Sequence, residues 1–263
     1  MLIGKPGAAR TSIAATSSDR VMVRGRDLAR ELMGVMTFTD YVFLLAAGRA
    51  PTEDQRFFLD LSLVALAEHG LTPSVQAARM TLDADPAALQ GAIAAGVLGC
   101  GSVILGAADL CRKLIEDVLA RADACGSLET AALAVAREHR EQRKALPGYG
   151  HPLHKPVDPR AERMIALARE RSAAGRSVEA AQALTKAAAD VWGKPLPMNV
   201  SMTIAATLRD VGVPPGLIRA VPILARTAGL IAHCIEEAET PIGFLMASKA
   251  EEAIAHAAAD GAA

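Results

Sequence analysis

The chain has 263 residues, enough for one large core or for a large and a small domain sharing a cleft, and the second arrangement is expected. Hydrophobic residues make up 51% and aromatic residues only 3%, so the apolar weight falls on Ala, Leu, Val and Ile, a composition suited to closely packed helices. A formal charge of −1 without a basic face excludes broad phosphate-backbone binding, so no nucleic-acid partner is expected.

The first twenty residues hold no long apolar segment of the kind a signal peptide requires, so no cleavage is expected. Strand signals are sparse: Val21 to Val23 and a few residues near Thr11 could form a small N-terminal β-hairpin. Residues 27–36 (DLARELMGVM) have helical spacing, with Asp27 as N-cap. Residues 38–48 (FTDYVFLLAAG) repeat the pattern and stop at Gly48, and a further helix starts at Thr52 and stops at Gly70.

Residues 87–108 carry no charge and are long enough as a helix to cross a bilayer. They lack an aromatic belt and a second spanning partner, and their many glycines suit a central helix surrounded by others, so a soluble protein is expected. Residues 109–144 read as amphipathic helix interrupted near Gly126 and ending in the basic run EHREQRK. Cys100, Cys111, Cys125 and Cys234 lie far apart without CxxC spacing and read as reduced, buried thiols of a cytoplasmic protein.

The helical period breaks at 146–159 (LPGYGHPLHKPVDP) and again at 193–201 (GKPLPMNVS), with helices expected over 160–172 and 177–192 between them. Asp158 suits an N-cap and Pro159 the first helical position, which places Arg160 in the first turn. His151 and Arg160 are thereby tied to one loop and helix start, where an anionic substrate could be held. His151 and His154 also invite a metal, but neither Cys nor carboxylate stands at ligand spacing nearby, so no metal is expected. Arg226 is a single cation at the start of an otherwise apolar helix, costly to bury without a partner or an anionic ligand. His69, just before Gly70, reads by itself as a structural histidine.

Six motifs in order carry a resemblance: RGRDL at 24–28, FTDYVFLLAAGRAPTEDQ at 38–55, AEHGLTPSVQAAR at 67–79, LPGYGHPLHKPVDPRA at 146–161, LPMNVSMTIAATLRDVGVPP at 196–215 and ARTAGLIAH at 225–233. Together they resemble the citrate synthase superfamily, more particularly its short citryl-CoA lyase members and the lyase module of ATP-citrate lyase. The resemblance implies an all-α, citrate synthase-like homodimer or higher homo-oligomer. Its large domain would comprise residues 1–107 and 206–263, and its small domain 108–205, which carries the His151 loop. It implies that His69, Arg160, Arg226 and His151 meet the carboxylates of oxaloacetate or citrate. It also implies that the loop Leu146, Pro147, Gly148, Tyr149, Gly150 holds the adenine end of coenzyme A, present as the substrate thioester.

The implied reaction is cleavage of citryl-CoA, or a close analogue, to acetyl-CoA and oxaloacetate. His151 would act as base or hydrogen-bond partner at the hydroxyl, and Ser201 would serve as the remaining polar group at the thioester. Two departures from the synthases stand out: Ile104 occupies the place of a catalytic histidine, and Ser201 that of a catalytic carboxylate. After Arg226 the sequence also offers no arginine to match the one that synthases borrow from a partner subunit. These departures favour cleavage over condensation by a citrate or methylcitrate synthase. A non-catalytic homologue that binds CoA esters or tricarboxylates is the third alternative.

Overall fold

The computed structural model describes residues 10–150 and 154–255. An N-terminal meander of three short antiparallel strands, β1 (Ala14–Thr16), β2 (Val21–Val23) and β3 (Arg26–Asp27), extends the expected hairpin by one strand. Its Val23, together with Leu32 just beyond it, packs against Leu44 of helix α1 (Phe38–Ala47). Asp27 caps as expected, accepting from Ala29 N and Arg30 N, but it caps a single π-helical turn, Leu28–Leu32, rather than a helix to residue 36. Met33 is already extended and Gly34 has φ +76°, so the ladder cannot continue.

Local signals fix the next elements. Thr37 caps α1, Gly48 ends it in the left-handed region, and a reciprocal Thr52/Gln55 capping box opens α2 (Glu53–Ala67). Helix α3 (Pro73–Ala84) follows, with proline at its start.

The uncharged run 87–108 is not one continuous α-helix. It divides into α4 (Leu89–Leu98), a π-helical turn at Gly101–Leu105 and the beginning of α5 (Ala107–Cys125), with Gly101 at φ +53°. Nor is α4 central: Ala92 and Gly96 are its buried residues, whereas Leu98 is 81% exposed. Small residues let one face approach closely; a Cβ on Gly96 would fall 2.7 Å from the Leu230 side chain.

Helix α6 (Leu128–Glu141) pairs with α5, and α7 (Pro159–Glu170), α8 (Arg176–Trp192) and α9 (Val200–Asp210) follow the two Pro/Gly loops. Helix α10 (Pro215–Glu239) packs on α2, α3, α4, α5 and α9, and α11 (Gly243–Ala253) closes against α3. Among the described residues α10 is the helix long and apolar enough to cross a membrane, a candidate that the sequence reading missed. Of the four free cysteines, Cys125 is exposed, contrary to expectation, because it falls in the last turn of α5. Burial pushes the Cys111 thiol up to about 12.

Two cores meet on α9. Its residues Met202, Ala205 and Ala206 join α5, α6 and α8, while Val200, Ile204 and Leu208, spaced i, i+4, i+8, join α1, α2 and α10. The expected domain boundary at 205/206 therefore falls inside one continuous helix.

The loops are paired to each other. Gly150 N donates to Pro197 O at 2.8 Å, Asn199 N donates to Gly148 O at 2.9 Å, and Tyr149 bridges to Met198. Gly148 has φ +83°, and a Cβ there would lie 2.7 Å from both Cys111 Sγ and Met202 Cβ. Gly148→Ala is therefore expected to lower stability by about 2 kcal/mol or more, measured as a fall in urea midpoint. Helix α8 begins at Gly175, which has no capping side chain; Asp210 at the end of α9 supplies the acceptor for Gly175 N, Ser177 N and Val178 N at 2.7–3.0 Å. Asp210→Ala leaves those three amides without it and is expected to cost about 2 kcal/mol with an unchanged urea m value.

Candidate active site

The starts of α7 and α9 converge through Asp158. Its side chain is fully buried and accepts from Arg160 N and Arg160 Nε at 3.1 and 3.0 Å, from Arg160 Nη2 at 2.9 Å and from Val200 N at 3.1 Å. Burial alone would raise its pKa. The Arg160 hydrogen bonds and charge, with the two backbone amides, outweigh that and hold it below the ordinary carboxylate range. Asn199 completes the start of α9 by accepting from Ser201 N and Met202 N, while its Nδ2 donates to Gly150 O.

These helix starts border a cavity of about 160 Å³ whose polar lining comes from His69, Thr72, Arg160, Ser201 and Arg226. Leu66, Ile104 and Pro222 supply apolar wall. Four of the residues expected at the site, His69, Arg160, Ser201 and Arg226, are thus brought together from across the chain. His151 lies outside the described residues.

Arg226 is 6% exposed, and neither its Nε nor its Nη1 has a hydrogen-bond partner among the described residues. It stands one helical turn after Pro222, which lines the same cavity. A buried guanidinium without an acceptor is unfavourable unless an anion completes it. Arg160 is different: Asp158 already takes Nε and Nη2, so only its outer N–H groups remain for a ligand. Pairing with Asp158 holds the guanidinium in one orientation at the cavity.

His69 sits between α2 and α3, where its Nε2 lies 3.3 Å from His154 Nε2 and the two rings meet edge to face at 83°. His154 entered the sequence reading only as a metal ligand; the fold makes it a neighbour of the anion site. Among the described residues no group of three or more His, Cys, Asp or Glu side chains is arranged to hold a metal. Burial first, then the charges of Arg160, His154 and Arg226, lower the pKa of His69, which favours its neutral form.

The loop expected at coenzyme A divides its duties. Leu146 is buried in the core formed by α5, α6 and α8, and Tyr149 Oη donates to Ala181 O of α8. Those two side chains serve the small core, and Gly148 O, Gly150 N and Gly150 O already bond to Asn199 and Pro197.

The sequence pattern of the family described as citrate synthase, C-terminal domain, matches residues 8–243. Relatives from Mycobacterium bovis and Mycobacterium tuberculosis that carry a citrate synthase name are 32% identical over 187 residues, covering 68% of this chain and 47% of theirs. The chain spans about half the length of the curated relatives it matches. Citryl-CoA lyase from Hydrogenobacter thermophilus superposes with a TM-score of 0.83 at 28% identity, over 98% of this chain and 97% of that one. ATP citrate lyase from Methanothrix soehngenii, solved with citrate and coenzyme A, gives 0.76 at 20% identity, over 98% of this chain and 43% of the other. Citrate synthase from Thermoplasma acidophilum, solved with carboxymethyl coenzyme A and oxaloacetate, gives 0.65 at 20% identity, over 78% and 54%. The latter two likenesses establish the shared all-α fold. A family pattern spanning most of the chain, joined to an end-to-end superposition on a member of the same fold, shows that this chain belongs to the citrate synthase superfamily.

Proposed function

We propose that the chain cleaves citryl-CoA, or a closely related hydroxyacyl-CoA, to acetyl-CoA and oxaloacetate. The observation that carries this reading is the buried, unpartnered guanidinium of Arg226 beside Arg160 and His69 in a cavity of about 160 Å³. That volume is below the roughly 300 Å³ at which drug-sized sites begin, and it suits a compact polycarboxylate. The end-to-end likeness to a citryl-CoA lyase supports the same choice.

In this reading His151, next in sequence to Gly150, removes the proton of the citryl hydroxyl. The carbon–oxygen bond becomes the ketone of oxaloacetate, and the carbon–carbon bond breaks. Its electron pair passes to the acetyl-CoA enolate, with the negative charge on the thioester oxygen. Ser201 donates a hydrogen bond to that oxygen, and protonation of the enolate carbon by water completes acetyl-CoA. Arg226, Arg160 and His69 hold the carboxylates throughout, and the backbone of Leu146 to Gly150 receives coenzyme A. Ile104 on the cavity wall offers no proton-transfer group and Ser201 is a weak base, which disfavours the condensation direction.

A second copy of the chain is part of the proposal, since Leu98, Ile104, Ile231, Ile235, Phe244 and Leu245 are exposed apolar side chains that association would cover. A shift of the two cores about α9 that narrows the cavity would exclude water. The buried free thiols of Cys100, Cys111 and Cys234 fit a reducing compartment, the cytoplasm.

Purified protein supplied with citryl-CoA is expected to release oxaloacetate and acetyl-CoA in equal amounts; no oxaloacetate at saturating substrate would overturn the reading. Arg226→Met removes an uncompensated buried charge, so citrate affinity is expected to fall about 100-fold or more by calorimetry. The same variant is expected to unfold at a higher temperature than the parent, by analogy with buried charges whose apolar replacement stabilises by roughly 1–4 kcal/mol.

The lowered pKa of His69 gives binding a pH dependence. A bound carboxylate offsets the Arg160 and Arg226 charges and raises that pKa, so citrate binding takes up a proton between the free and bound values. Affinity is then greatest below the free-site pKa and falls as pH rises through the bound-site value. Calorimetry in buffers of different ionisation enthalpy is expected to report this uptake, and His69→Gln to reduce it.

A further inference from the structure

His69 reaches the cavity from the five-residue junction between α2 and α3, whose backbone is held from outside the site. Glu68 Oε1 accepts from His69 N at 2.7 Å and from Gly70 N at 2.5 Å, and Glu68 Oε2 accepts from His233 Nε2 on α10 at 2.9 Å. Burial would raise the Glu68 pKa, but His233 and these two amides lower it, so the carboxylate is ionised.

The other ring nitrogen of His233, Nδ1, lies 3.0 Å from Arg79 Nη1. A guanidinium has only donors, so Nδ1 accepts and the imidazole proton sits on Nε2, the nitrogen that faces Glu68. Arg79 is 2% exposed and is itself fixed: Nη1 also donates to Glu236 Oε2 at 2.6 Å, and Nε pairs with the fully buried Glu237. Glu237 in turn accepts from Ile242 N and Gly243 N at the start of α11.

Each bond in this series has one possible direction, from α11 through α3 and α10 to the backbone of His69. Steric contact reinforces it, because a Cβ on Gly229 of α10 would fall 2.0 Å from the Ala67 carbonyl oxygen. None of Arg79, His233, Glu236 and Glu237 lines the cavity.

We propose that His233 is a positioning residue for the anion site: held as its Nε2–H tautomer by Arg79, it grips Glu68 and so sets the backbone from which His69 meets a substrate carboxylate. This rests on the reading of His69 as a carboxylate ligand and is independent of the direction or occurrence of turnover.

Two readouts test it on the full chain. Nitrogen-15 spectra of histidine-labelled protein, with the His233 signal assigned from the His233→Gln variant, are expected to show a protonated Nε2 and a bare Nδ1 at neutral pH; an Nδ1–H tautomer overturns the proposal. Calorimetry with citrate is expected to show affinity falling about 10-fold in His233→Leu and in Glu68→Ala, as for the loss of a charge-assisted hydrogen bond. His233→Gln, whose amide can both donate toward Glu68 and accept from Arg79, is expected to recover most of that loss.

Glu68 is half-exposed, so Glu68→Ala keeps the test available if His233→Leu does not fold, and circular dichroism with thermal unfolding identifies that case. Citrate affinity within about twofold of the parent in folded Glu68→Ala overturns the proposal. Absence of citrate binding by the parent protein overturns it together with the anion-site reading. Citrate binding without citryl-CoA cleavage touches the lyase reading alone.

Discussion

One buried carboxylate, Asp158, ties together the parts of the chain that make the site. It caps α7, receives the first amide of α9 and holds Arg160 by two side-chain N–H groups, so the start of each helix depends on the same two oxygens. The 146–150 and 193–199 loops lead toward these starts and pair with each other through backbone bonds at Gly148, Gly150, Pro197 and Asn199. Proline-rich segments that could not form regular structure alone are thereby given one conformation.

Arg226 illustrates the opposite balance. Asp158 satisfies its surroundings completely, whereas Arg226 is buried with two nitrogens unsatisfied. Folding therefore stores an unfavourable desolvation that, under the proposed function, an anion relieves on binding beside the apolar neighbours Leu66 and Pro222. His69 responds to the same surroundings, because burial first and then the charges of Arg160, His154 and Arg226 disfavour its protonation. Charge, burial and protonation at this cavity form a single coupled equilibrium.

Much of the fold was legible because its signals are local. Thr52 with Gln55, Gly48, Gly126 and Asp158-Pro159 mark helix ends through bonds that span a few residues, and the structure uses them in that way. The six ordered motifs likewise brought His69, Arg160, Ser201 and Arg226 to one site. What escaped is non-local or depends on alternatives of nearly equal energy. Arg79 is 154 residues from His233 and 158 from Glu237, and nothing in the spacing of AEHGLTPSVQAAR shows that its last residue is buried in an ion pair. His154 meets His69 across 85 residues. The π-helical turns at Leu28–Leu32 and Gly101–Leu105 share the apolar spacing of an α-helix, so periodicity alone could not separate them.

Helix α9 has a mechanical consequence. Its two ridges are keyed into different cores, so neither core can translate away from it without emptying packed volume on one side. The low-energy relative motion is a small shear with α9 as its axle. Ser201, in the first turn of that axle, lies where such a shear would displace the cavity lining least.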